Sequence, residues 1–396
     1  MGYSRNIPLL YAYSILIKRV SMPIIILYFL LNHLKFSQIG ILAAVMSIIS
    51  LITEVHGGIF TDMHGKKISL ALHSLFGALT MFFYLIGNSF SYFLIASIMY
   101  GLAAAFITGT KNALLYDTLS QMGIASEFKK YNGKLLMYSY GVNALILLGI
   151  PVVYSYNVKL PFLIGILFFI ASLIIALFFI EPPLTRKSKA SFAAYNLGLS
   201  ESVKEISSNK CLFSALLLSM VTASFIFMSE EFNQPLLKIS GLAVIYFGVV
   251  YAFMRVLTGV GGIAAHKLGK YFKYERLLLF GMIGILISFL GFSQGYGWLL
   301  VLSVLVVSFA EGLNRITLED EINKNIKSNN RTTILSISSL SESLFKAVLV
   351  FFFGFVADSA GIQGMFTYVV IAFAICALLA LWLKNAIEKS QNYIKY

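Results

Sequence analysis

Long apolar runs recur along almost the whole chain and leave little room for a water-soluble fold. The runs that we predict as helices span about 8–31, 37–60, 68–88, 91–120, 133–155, 159–180, 211–237, 241–265, 275–293, 297–325, 333–357 and 364–384. A bilayer core about 30 Å thick needs roughly 20 mostly apolar residues per crossing helix. Only 12% of the 396 residues are charged, against roughly 25% in soluble domains. The sequence therefore predicts an all-α membrane protein with twelve transmembrane helices.

Basic residues are divided unequally between the two faces of such a protein. With twelve crossings both termini lie on one side, whose segments hold 21 Lys and Arg residues, whereas the opposite loops hold only Lys35, Lys159 and Lys238. Lys and Arg accumulate on the cytoplasmic side of membrane proteins. We therefore predict that both termini are cytoplasmic. The net charge of +13 is attributed to topology rather than to a nucleic-acid partner.

The only long polar interval divides the chain in two. It runs from Glu181 to Lys210, begins Glu-Pro-Pro and carries charges of both signs. We predict an N-terminal six-helix bundle at 1-180, a cytoplasmic linker at 181-210 and a C-terminal six-helix bundle at 211-396. The linker is interpreted as a tether with a surface helix from about 190 to 206. A regulatory ligand site in the linker is the alternative.

The two predicted bundles share sequence features at a constant offset of 204 residues. Gly57-Gly58-Ile59 is matched by Gly261-Gly262-Ile263. The same offset relates Asp62 to His266, Gly65-Lys66 to Gly269-Lys270, Lys111 to Arg315 and Asp117 to Glu321. Parallel repeats are one known plan for transporters, with substrate held where the halves meet. The repeat therefore predicts two related bundles and a shared central site.

The segment after the second predicted helix reads Gly58-Ile-Phe-Thr-Asp62-Met-His-Gly65-Lys66-Lys67. It resembles the loop signature between helices 2 and 3 of the major facilitator superfamily. Glycines permit tight turns and close helix approach, and an aspartate can accept from a helix N-terminus. The two lysines can pair with carboxylates on neighbouring helices. The alternative is a basic loop without a gating role.

Two further stretches are similar to the bacterial drug-efflux-like members of that superfamily, the drug:H+ antiporters. They are Glu54-Val55 and Gly109-Thr-Lys-Asn-Ala-Leu-Leu-Tyr-Asp117. The resemblance implies the two-bundle fold, alternating access and a place in the bacterial cytoplasmic membrane. It also implies a cytoplasmic gate formed by Glu54, Gly58, Asp62, Gly65, Lys66, Lys67 and Asp117. Because His56-Gly57 replaces the usual Pro-Thr and His266 replaces an acid, we expect a weaker or pH-dependent latch in the second half.

Ionisable residues inside the predicted helices are costly, at about 2.5–3.5 kcal/mol each at the bilayer centre, so each is a functional or a pairing candidate. They are Lys18, Arg19, Glu54, Lys111, Asp117, Glu230, Glu231, Arg255, Glu311, Arg315, Glu342 and Lys346. Glu311 and Arg315 are four residues apart and share a helix face, as do Glu342 and Lys346. We interpret these four as ion pairs. A direct role in substrate or proton handling is the alternative.

Three basic residues suggest where a substrate binds. Lys18 and Arg19 lie about ten residues into the first predicted helix, near the bilayer centre, and Arg255 has a similar depth in the eighth. Basic residues from both halves would suit a substrate carboxylate or phosphate, and pairing with Glu230, Glu231 or Glu342 is the alternative. The candidate substrate-binding residues are Lys18, Arg19, Arg255, Tyr138, Asn143, Glu311 and Arg315.

Adjacent carboxylates suggest a site of proton coupling. Glu230 and Glu231 precede Asn233, Gln234 and Pro235 in the seventh predicted helix. Two carboxylates in a low-dielectric place repel each other, so at least one is expected to bind and release a proton near neutrality. Salt bridges to buried basic residues, or a partly solvated position, are the alternatives. The proton-coupling candidates are Glu230, Glu231 and Glu342.

No catalytic pattern is visible. The sequence has no HExxH, P-loop or nucleophile elbow, its five histidines are scattered, and Cys211 and Cys376 are interpreted as packing residues. We therefore expect a protein that is not an enzyme and has no cofactor, no metal site and no nucleic-acid partner. The expected partners are a small-molecule substrate, protons and the lipid bilayer, and we predict a monomer.

The function implied by the resemblance is proton-coupled efflux of a small amphipathic compound by alternating access. The buried basic residues favour a first alternative, proton-coupled uptake of an organic anion, peptide or zwitterion. A second alternative is a membrane sensor that keeps the transporter fold and moves nothing. A membrane-embedded enzyme is the weakest reading, since no catalytic group supports it.

Overall fold

The computed structural model describes residues 2–183, 192–326 and 331–394, and within these ranges the chain forms helices and turns without a strand. The helices are α1 Asn6–Leu16, α2 Ile25–Leu31, α3 Phe36–His64, α4 Lys66–Ile86, α5 Phe90–Ile107, α6 Thr110–Gln121, α7 Phe128–Tyr156, α8 Leu160–Leu177, α9 Phe192–Ser208, α10 Lys210–Ile239, α11 Phe247–Leu268, α12 Tyr274–Gln294, α13 Gly297–Asn325 and α14 Arg331–Ile394. α9 falls in the predicted linker, of which residues 184–191 lie outside the described residues.

Ten described segments are long and apolar enough to cross a bilayer. One of them, Thr333–Lys384, has 52 residues, more than twice the length that a single crossing needs. Its helical backbone is broken at Gly361, where φ is +73°, so it accounts for two crossings. α1 and α2 are each too short to cross alone and together take the place of the first predicted helix. The predicted all-α membrane architecture is confirmed, and with these two assignments the described segments are consistent with the twelve predicted crossings.

Two predicted helices are not continuous, and in this respect the prediction is wrong. α1 ends at Leu16 and α2 begins at Ile25, so that residues 17–24 form turns instead of the middle of a helix. The predicted helix 91–120 is divided into α5 and α6 at Gly109, where φ is +73°. Irregular backbone at membrane depth is tolerated only where it is enclosed by protein or lines a cavity. Hydrophobicity alone does not reveal such breaks.

The exposed surface of α8 suits a lipid environment. Its exposed large side chains follow one another at steps of three and four residues, as Leu163, Leu167, Ile170, Ile174 and Leu177. Phe162 and Phe169, on the other side of the helix, are almost fully buried. A helix that is apolar on both faces presents one face to protein and the other to hydrocarbon.

The chain divides into two compact units. Among the described residues, unit 1 holds 2–34, 42–183 and 244–248, and unit 2 holds 35–41, 192–243 and 249–394. Each unit has an aromatic core, formed in unit 1 by Tyr28, Phe29, Tyr84, Phe93 and Phe162, and in unit 2 by Phe225, Phe289, Phe292, Phe366 and Phe373.

The sequence repeat has a structural counterpart in each unit. In unit 1, a Cβ atom added at Gly57 of α3 would lie 2.6 Å from the carbonyl oxygen of Ala105 of α5. In unit 2, a Cβ atom at Gly261 of α11 would overlap the carbonyl oxygen of Phe309 of α13. The two glycines, and the two carbonyl groups they face, are separated by the same 204-residue offset. Each unit therefore contains one helix crossing that only glycine permits.

Candidate functional site

The loop signature forms a tight corner in unit 1. Gly65 alone separates α3 from α4, and its φ of +95° is a conformation that glycine adopts readily. The backbone N–H groups of Lys66 and Lys67 donate to the two oxygens of Glu181, at 2.8 and 2.7 Å. The Glu181 carboxylate therefore caps α4 and complements the positive end of its helix dipole.

An ion pair joins this corner to α6. Lys66 Nζ lies 2.6 Å from Asp117 Oδ2, and the two side chains are only 12% and 24% exposed. The other acids assigned to the gate are placed differently: Asp62 is exposed, Glu54 is half-buried, and neither forms an ion pair with a described residue. Gly58 faces open space. The structure thus brings Lys66 and Asp117 together, and Glu181 takes the capping role that sequence analysis gave to Asp62.

Replacement of Gly65 with alanine should lower the thermal unfolding midpoint. A Cβ atom there would lie 3.0 Å from Glu181 Cδ, and a non-glycine residue at this φ adds backbone strain of about 1–3 kcal/mol. Gly133→Ala is the matched control, because Gly133 lies within α7 and has open space around its Cβ position. Equal midpoints for the two variants would contradict the strained corner.

A second acidic cap lies in unit 2, at the start of α3. The backbone N–H groups of Phe36 and Ser37 donate to Asp358 Oδ1 and Oδ2, at 2.7 and 3.2 Å. Asp358 lies on α14, and sequence analysis did not select it. It is 322 residues from Phe36, and no local pattern indicates such a pair.

The paired acids of α10 form salt bridges. Glu231 Oε1 lies 2.6 Å from Lys346 Nζ, and Glu230 Oε1 lies 3.5 Å from the Arg255 guanidinium. Of the alternatives for these acids, the structure therefore shows the salt bridges. Because Arg255 is paired with Glu230, its positive charge is already balanced, which argues against its predicted place in an anion pocket. Gln234 and Asn233, on the following turn, are buried.

The predicted ion pairs within α13 and α14 are wrong. Arg315 Nε lies 3.0 Å from Glu319, one turn further along α13, and Lys346 reaches across to Glu231. Glu311 and Glu342 are left with hydroxyl partners instead. The spacing of four residues was compatible with the predicted pairs. However, Lys346 lies closer to Glu231 on α10, and Arg315 lies closer to Glu319 on the next turn of α13.

Glu311 and Glu342 line one cavity of about 460 Å³ within unit 2. Glu342 Oε1 accepts hydrogen bonds from Ser219 and Ser338, at 2.7 and 3.2 Å. Glu311 Oε2 accepts from Thr258 at 3.1 Å, and the Glu311 residue is only 5% exposed. Neither acid has a cation within salt-bridge distance among the described residues, although Arg315 is within range of both charges. Either carboxylate can therefore gain or lose a proton without breaking a salt bridge.

Asn314 completes the polar lining of this cavity, and sequence analysis missed it. The residue is 1% exposed, and neither its amide nitrogen nor its amide oxygen has a hydrogen-bond partner among the described residues. A buried amide without a partner is costly, and this amide packs against Gly281 of α12, where an added Cβ atom would overlap it. The sequence does contain a signal for Asn314, because an asparagine inside an apolar helix, between Glu311 and Arg315, is unusual.

The remaining predicted substrate residues lie in unit 1. Lys18 Nζ is 5.6 Å from the centre of the Tyr140 ring, and the Arg19 guanidinium is 4.6 Å from the centre of the Tyr100 ring. Both basic residues lie in the turns between α1 and α2. Tyr138 on α7 is exposed and packs against Tyr11, with ring centroids 5.5 Å apart. Asn143, also on α7, is half-buried and does not line the cavity of unit 2.

Two units of membrane-crossing helices with buried charges and polar cavities define an integral membrane protein of the transporter class. The sequence profile of the Major Facilitator Superfamily matches residues 9–337, so the chain belongs to that superfamily. The uncharacterized MFS-type transporter YxaM of Bacillus subtilis strain 168 is 24% identical over 384 residues, which cover 93% of this chain and 95% of that relative.

Solved structures share the fold at low sequence identity. The nucleoside transporter NupG is 15% identical with a TM-score of 0.79, and the match covers 98% of this chain and 100% of NupG. A D-xylose-proton symporter is 14% identical with a TM-score of 0.70, and the match covers 97% of each chain. These similarities show the architecture and leave the solute and the direction of transport open.

Proposed function

We propose that this chain is a proton-coupled secondary transporter that works by alternating access. The observation that carries the proposal is the pair Glu311 and Glu342, two acids in one cavity held by hydroxyl groups instead of cations. Proton exchange at such acids costs no salt bridge, whereas exchange at Glu230 or Glu231 would break one. We therefore assign the proposed proton site to Glu311 and Glu342, with Glu230 and Glu231 as its ion-paired neighbours.

Export of a small amphipathic compound is the proposed direction. It follows from the resemblance of the Gly58–Lys67 and Gly109–Asp117 segments to drug:H+ antiporters. The Lys66–Asp117 pair and the Glu181 cap are the proposed latch of the cytoplasmic gate. Because Lys and Arg accumulate on the cytoplasmic side, both termini are proposed to be cytoplasmic, in a bacterial cytoplasmic membrane, and the chain is proposed to act as a monomer.

Uptake of an organic anion is the second candidate, and one observation favours it. Lys18 and Lys111 of unit 1 form no ion pair with any described residue. Uncompensated positive charge at membrane depth attracts an anion. In uptake driven by symport, protons and solute would move in the same direction, which distinguishes it from export by antiport.

The experiment begins with purified protein and a thermal-shift screen that includes ethidium as an amphipathic cation and benzoate as an organic anion. A stabilising compound is then tested in proteoliposomes that contain a pH-sensitive dye, with a pH gradient imposed in either direction. Antiport predicts solute movement against the proton flow, and symport predicts movement with it. Saturable binding without flux above protein-free liposomes would contradict transport and support the sensor alternative.

A further inference from the structure

A second cavity lies inside unit 1, at the break between α1 and α2. Its volume is about 140 Å³, and its lining includes Lys18, Arg19, His73, Tyr100, Ala103 and Phe169. In another protein a cavity of about 150 Å³ holds a molecule the size of benzene. The space therefore suits a small acid, or the acidic group of a larger solute.

The surroundings of this cavity carry excess positive charge. Lys18 and Lys111 are close enough for their charges to repel each other, and Lys111 also acts electrostatically on His73. Among the described residues, neither lysine has a carboxylate within salt-bridge distance. In unit 2, by contrast, Arg255, Arg315 and Lys346 each have one. Buried charges are normally paired, so the two lysines of unit 1 lack a counter-ion that a bound anion would supply.

His73 lies in the wall of the same cavity. The residue is 8% exposed, and its Nδ1 lies 2.9 Å from the carbonyl oxygen of Ala103. Since a carbonyl only accepts, Nδ1 carries the hydrogen and donates it. Nε2 is then left as an acceptor, and it is buried without a hydrogen-bond partner among the described residues. Nε2 is enclosed by protein, so His73 contributes to the wall of the cavity and not to a direct contact with a ligand.

Both helix breaks of unit 1 place a lysine close to this cavity. Lys18 lies in the turns between α1 and α2, and Lys111 is the second residue of α6, which starts after Gly109 without a side-chain cap. In transporters, interrupted helices provide charged groups and free backbone polar groups for solutes at membrane depth. The cavity, the two helix breaks and the two lysines without a carboxylate partner therefore point to one ligand.

We propose that Lys18 and Lys111 form an anion subsite in unit 1 that binds a carboxylate or phosphate group, with His73 in the wall of its cavity. Arg19, stacked on Tyr100, forms part of its wall. This inference rests on the proposed transport function and names the substrate class as an organic acid or a phosphate ester.

Calorimetric titration of the full chain in detergent tests the subsite, with inorganic phosphate and benzoate as separate probes. Saturable binding of at least one probe is expected, and the probe that binds identifies the anion as a phosphate or a carboxylate. Lys18→Gln and Lys111→Gln should each weaken binding by about tenfold or more, because each removes a charged hydrogen-bond donor. Lys111→Arg, which keeps the charge, should retain more affinity than Lys111→Gln. Lys238→Gln is the matched control, since Lys238 is exposed in unit 2.

Two results would overturn the subsite. One is the absence of binding of both probes to protein whose thermal unfolding shows that it is folded. The other is binding that Lys18→Gln and Lys111→Gln change no more than Lys238→Gln does. Either result leaves the transport proposal intact if ethidium or another cation still moves against protons in proteoliposomes. Anion binding without any proton-linked flux would instead support the subsite and contradict the proposed function.

Discussion

Glu342→Gln should abolish the dependence of solute affinity on pH while leaving the protein folded. Glutamine keeps an oxygen that can accept from Ser219 and Ser338, but it cannot release a proton. Coupling free energies between two sites are typically about 1–3 kcal/mol, a factor of about 5–150 in affinity. We expect the affinity of wild-type protein to depend on pH by a factor in that range, and the affinity of the variant to stay constant. Titration of the solute found in the thermal-shift screen measures both.

Glu311→Gln should act in the same way, since Glu311 lines the same cavity and, among the described residues, accepts a hydrogen bond from Thr258 alone. Asp320→Asn is the matched control on α13, because Asp320 is exposed and pairs with Lys324. If both glutamine variants keep the pH dependence of the wild type, the proton site lies elsewhere. Loss of pH dependence in Glu230→Gln or Glu231→Gln alone would move the assignment to α10.

Gly261→Ala should destabilise unit 2 more than any conservative change at its surface. The added methyl group would overlap the carbonyl oxygen of Phe309 and lie 3.0 Å from the backbone nitrogen of Leu313. Both contacts are backbone atoms, so no side-chain rotation relieves them. Overpacking typically costs about 1–3 kcal/mol, and we expect the upper part of that range. The thermal unfolding midpoint measures the effect. It is followed by size-exclusion chromatography of heated samples, as the temperature at which the monodisperse peak is lost.

Gly259→Ala provides the comparison within α11. No atom lies within 4 Å of a Cβ atom at Gly259, and alanine is the better helix former by about 1 kcal/mol. Its midpoint should equal or slightly exceed that of the wild type. A similar loss of stability in both variants would show that backbone conformation, and not the close crossing, limits these glycines.

The fold could be predicted because its signals are strong and local. A short window of sequence is enough to recognise each of the twelve apolar runs, each basic loop and each copy of the repeated glycines. Lys66 and Asp117 could be selected because the loop signature and the α6 segment resemble a known family pattern. Hydrocarbon forces such charges toward protein partners, and the structure provides that partner at 2.6 Å.

The partners of the other buried charges could not be predicted. Glu181 caps α4 from a position 115 residues away from Lys66, and Lys346 prefers Glu231 on another helix to Glu342 on its own. Both choices depend on how helices are placed in space, which periodicity does not specify. The break at residues 17–24 was missed for another reason, because counting apolar runs bridged this segment despite Lys18, Arg19 and Pro23. Lys18 was therefore assigned to a helix face, and its relation to His73 and Lys111 was missed.

The close glycine crossings limit which parts of the chain can be displaced. α3 is clamped to α5 at Gly57, and α11 is clamped to α13 at Gly261, with no space for a methyl group at either point. We expect each of these helix pairs to move as a rigid body, because sliding one helix along the other would bring their backbone atoms into steric overlap. Deformation during a working cycle would then fall on the interrupted segments, the turns at 17–24 and the break at Gly361. Two spin labels on the two helices of either pair should keep a constant separation during the cycle. Two labels on either side of residues 17–24, or of Gly361, should change their separation.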